Sequence, residues 1–333
     1  MANYHYVDAD TGSDSNGGTS WGDAWLTLGH AATTVNTAPS DMDIVNYRGA
    51  FTLSASLTAG IRRIYQPFVL LADSGASIAF ATYSLWNSSQ QSTYHIGGTW
   101  TGVPSNGLAP GVNSTFDSVN ITGAVTSVSN NIRARWINCK FNNVGLTAAA
   151  GSYFQDCFFD HSSSGIVYPG GSDVTFAGCR FYNGNLQNAQ TSHHIIYNHC
   201  SFYYDSAPAY ILGSSYEYWS WRMQDCVIHS DGVTSPFLRD LTAVAKRQLG
   251  WFTGNYSKGT ITDNTNGDAF FEHEDFVTLT DDPFTDPAND DFTPSAELSA
   301  IRSTSTGKTP GAINAESSTA IPIARGQFGG MRG

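Results

Sequence analysis

Through the middle of the chain, one short pattern recurs: a large apolar residue, two variable positions, a cysteine, one variable position, and a second large apolar residue. Five segments carry it: Trp136, Cys139 and Phe141; Phe154, Cys157 and Phe159; Phe176, Cys179 and Phe181; Tyr197, Cys200 and Phe202; and Met223, Cys226 and Ile228. A sixth, Phe116, Val119 and Ile121, has Val in place of Cys. Successive cysteines are 18, 22, 21 and 26 residues apart, and Val119 stands 20 before the first. Residues two apart in a strand share a face, so each Cys points the same way as the large residue after it. The large residue three before breaks that alternation and predicts a bend. One short strand per 18 to 26 residues is too little for a sandwich hairpin and about half of a ~40-residue propeller blade. It fits one turn of a coil whose strands stack in parallel about 4.8 Å apart. Val119, Cys139, Cys157, Cys179, Cys200 and Cys226 then form an inward ladder, since Cys is small and readily buried.

The ends differ from the middle. A Gly/Asp/Asn/Ser run over residues 9–20 reads as loop, and Trp21, Trp25 and Leu28 enter a short helix expected over 23–35. A solenoid must cover its first open coil, and this apolar element would do so. Ile44 to Tyr47 and Val69 to Leu71 look like earlier, less regular coils. After about 265 the chain turns acidic and Pro-rich. The expected organisation is an N-terminal cap over 1–35, a solenoid over 36–265, and an extended, irregular C-terminal tail over 266–333 that docks.

Composition supports an all-β chain. Only 13% of the 333 residues are charged, while Gly (33), Phe (19), Tyr (16) and Trp (8) are plentiful. A net charge of -12 with four Lys argues against nucleic acid, whose phosphates need basic clusters; Arg62-Arg63 and Lys246-Arg247 read as solvated pairs. A membrane-surface role is equally unfavoured. No segment has the length and apolarity of a membrane span, and the first residues lack a signal-peptide pattern. Five cysteines without zinc spacing point to free thiols in a reducing compartment. No cofactor and no metal is expected.

Two stretches carry a family resemblance. Tyr6 to Leu28, with Tyr6-Val-Asp8, Gly12-Ser-Asp14, Asn16-Gly-Gly18 and Trp21, resembles the opening of right-handed parallel β-helix proteins of the pectin-lyase-like superfamily. Asp281 to Leu298 is similar to their exit segment. The resemblance implies a right-handed parallel β-helix but leaves activity open, because the superfamily spans polysaccharide lyases and hydrolases, phage tailspikes, and non-catalytic virion or cell-surface proteins. With no leader and unpaired thiols, the expectation is a phage virion component assembled in the host cytoplasm: a capsid decoration, fibre or tail protein. Its partners would be other virion subunits, further copies of itself, and a host surface glycan. A tailspike-like depolymerase and a bacterial cell-surface adhesin are the alternatives.

With each Cys facing inward, its neighbours form an outward strip of carboxylates, aromatics and one Arg. Asp156, Asp160 and Asp225 are the acid/base candidates; Phe158, Arg180, Tyr182, His199 and Tyr203 are the glycan-binding candidates, since aromatic faces stack on sugar rings. Glycoside hydrolysis needs carboxyls about 5 to 10 Å apart. Asp156 and Asp160, four apart in one strand, are roughly 13 Å apart, and Asp156 and Asp225 lie about 14 Å apart across three strand steps. Neither spacing favours catalysis, and the bland reading is ordinary sheet surface or a subunit contact. Tyr216 to Arg222 alternates aromatics on both faces and reads as core or interface. His193-His194, Glu272 to Asp275, and Asp8, Asp10, Asp14 with Asn16 are weak cation signals, each better read as loop or turn.

Overall fold

The computed structural model describes residues 2–37, 42–53, 55, 57, 68–80, 93–102, 114–129, 134–148, 150–161, 166–168, 173–188, 193–205, 212–214, 218–230, 235–240, 247–259, 261–264, 269–273, 276–301 and 309–311. It is a parallel β-solenoid. Each turn enters one face, bends, and crosses a second; many turns then cross a third. The first face stacks twelve described strands, from Ala2–Asp8 to Ala269–His273. In the turn that carries Cys157, the three strands are Tyr153–Gln155, Phe158–Asp160 and Ile166–Tyr168, each pairing in parallel with its neighbours. The cysteine spacing alone read one strand per turn; strands as short as three residues leave no periodicity to find. The stack also begins and ends outside 36–265: Ala2–Asp8 pairs with Met42–Arg48, and Val277–Thr278 pairs with Tyr256–Lys258 of the previous turn. Helix α1 (Leu28–Thr37) buries Leu28, Ala31, Ala32 and Val35 against Val7 and Val45, closing the first coil.

The interior is a set of ladders. On the first face Phe116, Trp136, Phe154, Phe176, Tyr197 and Trp221 stack one above another, with interplanar angles of 4 to 19°. On the second, Phe141, Phe159, Phe181 and Phe202 do the same. The two ladders meet edge-on, as between Phe154 and Phe159, 5.8 Å apart at 64°. Offset stacks and edge contacts are the arrangements the ring quadrupole favours, worth about 0.5 to 1.5 kcal/mol per pair beyond burial.

Between the ladders runs the cysteine column, all five thiols buried and unpaired. Each Sγ lies close to two carbonyls exposed by the bend: Cys157 donates toward Trp136 O (3.5 Å) and Gln155 O (3.4 Å), and Cys179, Cys200 and Cys226 repeat this. A small side chain with a weak donor suits that corner. Burial pushes the Cys157 and Cys200 thiols up, so they stay protonated. One further turn continues the column, 29 residues after Cys226. There Asn255 Oδ1 accepts from Cys226 N (3.0 Å) and Nδ2 donates to Met223 O (3.2 Å). Phe252, Asn255 and Ser257 repeat the sequence pattern with polar replacements, which hid them.

Among the described residues no helix is long and apolar enough to cross a membrane.

Candidate functional site

The bend is built by single residues in the left-handed conformation. Ser118, Asn138, Asp156, Gly178, His199, Asp225 and Gly254, each one residue before the ladder position, have φ between 51 and 63°. Asn, Asp and Gly tolerate that region best, so the identity of this position in most turns was a readable signal. Their N–H groups bond to the next turn, as Asp156 N does to Ala177 O (2.9 Å), while the residue after Cys bonds to the previous one, as Phe158 N does to Cys139 O (2.9 Å).

This geometry moves three sequence-predicted residues. Asp156, His199 and Asp225 were expected on an outward strand; they sit in the corner column. The Asp156 carboxylate lies over Gly178, whose added Cβ would be 2.4 Å from Oδ1, and Asp225 lies likewise over Gly254 at 2.6 Å. The Asp225 side chain is buried beside His199 Nε2 (3.6 Å). Asp160 ends its own strand, on the outer side beside Tyr182 of the next turn. The corner and the strand end therefore hold the three carboxylates apart.

The remaining candidates do come together, on the outer side of the second face. Register places Lys140, Phe158, Arg180, Ser201 and Val227 in one row and Asp160, Tyr182, Tyr203 and His229 in the next. Tyr182 stacks on Tyr203 (5.9 Å, 13°), and Tyr203 on His229 (4.3 Å, 8°). The Tyr182 hydroxyl donates to Asp205 (3.0 Å); burial and that carboxylate push its pKa up to about 12.

This row is not open. The segment after the last coil returns across it as a strap: a hairpin of Phe284–Asp286 with Asp291–Pro294, then helix α2 (Ala296–Ala300). Leu279, Phe284, Phe292 and Leu298 bury themselves against Phe158, Tyr182 and Val227, forming a second hydrophobic cluster outside the coil. Phe292 meets Phe158 edge-on at 6.1 Å. Asp290 bonds Lys140 (2.7 Å) and faces Arg180 Nε (3.4 Å), and both cations flank the Phe158 ring at 5.9 Å. The Glu297 carboxylate closes the entry by accepting from Thr280 N and Asp281 N (2.8 Å), bonds that hold it below the usual range. Lys258 donates to Thr280 O, and His229 pairs with Asp282 (3.2 Å). Further on, Gly311 N bonds Asp225 O (2.8 Å). An acidic, Pro-rich stretch reads as an irregular docking tail; its four spaced apolar residues were the signal of where it folds back.

The weaker signals resolve into structure. Asp8 takes a two-pronged bond from Arg48 (3.0 and 2.7 Å). Burial pushes its pKa up, but the bonds from Thr11, Arg48 and backbone N–H groups outweigh that and hold the carboxyl well below the carboxylate range. Asp14 accepts from Leu26 N, Thr27 N and Thr27 Oγ1 at the start of α1, and Asn16 bonds Ala24 O. Trp221 is core. Tyr216, Glu274, Asp275, Arg62, Arg63, Lys246, and the side chains of His193, Tyr218, Trp219 and Glu272 lie outside the described residues. Among the described residues no group of three or more His, Cys, Asp or Glu is placed to hold a metal ion.

No protein-family model and no curated protein matches the chain. Two solved structures resemble it in backbone path. The pectate lyase Pel9A is 12% identical, covers 95% of this chain and 90% of its own, and has a TM-score of 0.47. A rhamnogalacturonan lyase is 12% identical, covers 94% and 96%, and has a TM-score of 0.40.

Proposed function

We propose that this chain is a non-catalytic structural protein of a phage virion, a stiff surface element of the capsid, fibre or tail. The observation that carries the reading is the strap. The outer row that combines aromatics with an Arg, the natural place for a sugar chain, is filled by the protein's own Phe292 and Asp290, with Phe158 only 4% and Tyr182 8% exposed. The three carboxylates are spent in corners and at a strand end instead of facing one another across a groove. Five buried free thiols suit assembly in a reducing compartment. Stacked ladders give the rigidity that a particle surface needs.

The test has two arms. Incubation with a panel of bacterial surface polysaccharides, followed by reducing-end and unsaturated-sugar assays, is expected to release nothing. Release that disappears in an Asp156→Ala/Asp160→Ala double variant would make the protein a depolymerase. In the second arm the protein is expected to co-sediment with purified phage particles through high-salt washes; clean separation from them sinks the virion assignment.

A further inference from the structure

The second face is closed by the strap; among the described residues no segment crosses the first face between Arg135 and Arg222, and both of these are exposed. Its outer rows follow from the register: Arg135, Tyr153, Thr175, Ile196 and Arg222 stand in line, one per turn. Arg135 and Arg222 are exposed and four strand steps apart, roughly 19 Å. The Arg135 guanidinium lies over the Tyr153 ring at 5.6 Å, and Arg222 donates to Gln224 (3.0 Å). Neither forms an ion pair with a described carboxylate. Arg48 is engaged with Asp8, Lys140 and Arg180 with Asp290, and Lys258 with the Thr280 carbonyl. In a chain of net charge -12, the stretch of this row from Arg135 to Arg222 thus presents two exposed arginines with no ion pair to a described carboxylate, on a sheet face that also carries partly exposed Tyr153 and Ile196. Arg and Tyr are the residues protein interfaces enrich.

The complementary surface lies on the same molecule. The solvent side of the strap exposes Asp281, Asp282 and Asp286 and carries no large exposed apolar residue. Two first faces brought together would oppose arginine to arginine; a first face against a strap pairs opposite charges. We propose that the partner of the first face is the acidic strap of a second copy of this chain. Such a head-to-side contact is heterologous, so it closes into a ring or runs on as a filament. It is independent of the virion reading: self-association can hold for a protein of any location, and particle binding can fail without it.

The experiment is light scattering after size exclusion of the full chain across protein concentration, at low and at high salt. Concentration-dependent assembly is expected at low salt and is lost at high salt, as for exposed charge pairs. Arg135→Glu/Arg222→Glu weakens assembly by about ten-fold or more in Kd, and so does Asp281→Lys/Asp286→Lys, which spares the Asp282 contact to His229. Combining all four changes in one chain restores it, which misfolding would not do. A monomer at every salt concentration overturns the proposal. So does assembly that ignores both charge reversals. Binding of a soluble anionic polysaccharide through Arg135 and Arg222, without self-association, overturns it in favour of a glycan surface.

Discussion

The two sides of the second face close themselves in different ways. The inner side stacks Phe141, Phe159, Phe181 and Phe202, one like residue per turn, at centroid spacings of 4.7 to 4.8 Å. The outer side of the same strands carries Lys140, Phe158, Arg180, Ser201 and Val227, with no repeat, and is sealed by residues far away in sequence. Inside a solenoid each turn meets only its neighbours, so the same local problem recurs and the same residue solves it. Outside, one strap crosses many turns and meets a different residue at each. Regularity therefore marks the inner side, and irregular complementarity marks the outer one.

The largest expected effect lies on the inner side. Phe181→Ala removes a ring stacked on two neighbours and edge-on to two more. A loss of about 3 to 5 kcal/mol is expected, seen as a lower urea midpoint for the whole far-ultraviolet transition. A loss under about 1 kcal/mol would mean that the ladders are not the main support of the fold.

Acid attacks the same interior. Burial lowers the His161 pKa to about 4 against the small opposing pull of Asp160, and burial lowers His95 to about 3. Their unfolded value is near 6.5, so below that pH the unfolded chain binds protons that the folded chain refuses. Stability is full above about pH 6.5 and falls as pH drops toward the folded values. For His161 the loss is about 3 kcal/mol at most. Denaturant titrations from pH 7 to 4 measure it, and His161→Gln should flatten the slope; an unchanged slope would place the acid sensitivity elsewhere.

On the outer side the expected effects are smaller and local. Asp290→Ala removes the carboxylate facing both Lys140 and Arg180, costing about 2 kcal/mol or less. The strap can lift while the inner ladders hold. The readout is faster proteolytic cleavage within 279–301 with an unaltered far-ultraviolet spectrum. If Asp290→Ala instead lowers the urea midpoint as much as Phe181→Ala does, strap and coil form one cooperative unit and the contrast between the two sides fails.

These differences also explain what could be read beforehand. The Cys column was legible because a narrow interior admits few residues there, and it was lost at Asn255 where an amide replaces the thiol. The bend was legible as broken alternation. Its left-handed residue left a signal only in the Asn, Asp and Gly found there in most turns, and strand alternation alone puts Asp156, His199 and Asp225 on a strand they do not occupy. The strap was least legible of all. Phe158 and Phe292 are 134 residues apart, and no periodicity links them. Asp281 to Asp291 reads as irregular loop because its acids face outward or bind Lys140 and His229, while its few apolar residues alone turn in.

The smallest expected effect tests the corner that separates these two kinds of surface. Gly178 and His199 occupy it in adjacent turns, at φ of 62 and 51°. Opposite signs should follow from substituting them. Gly178→Ala places a Cβ in a backbone region that L residues disfavour and drives it toward the Asp156 carboxylate. A loss of about 1 to 2 kcal/mol is expected. His199→Asn replaces the ring by a side chain that enters the left-handed region somewhat more readily, and a gain of about 0.5 kcal/mol or less is expected. Urea midpoints of the two variants decide the matter. If both changes destabilise, His199 contributes through its contact with Asp225, and the corner column is held by side-chain pairing as well as by backbone conformation.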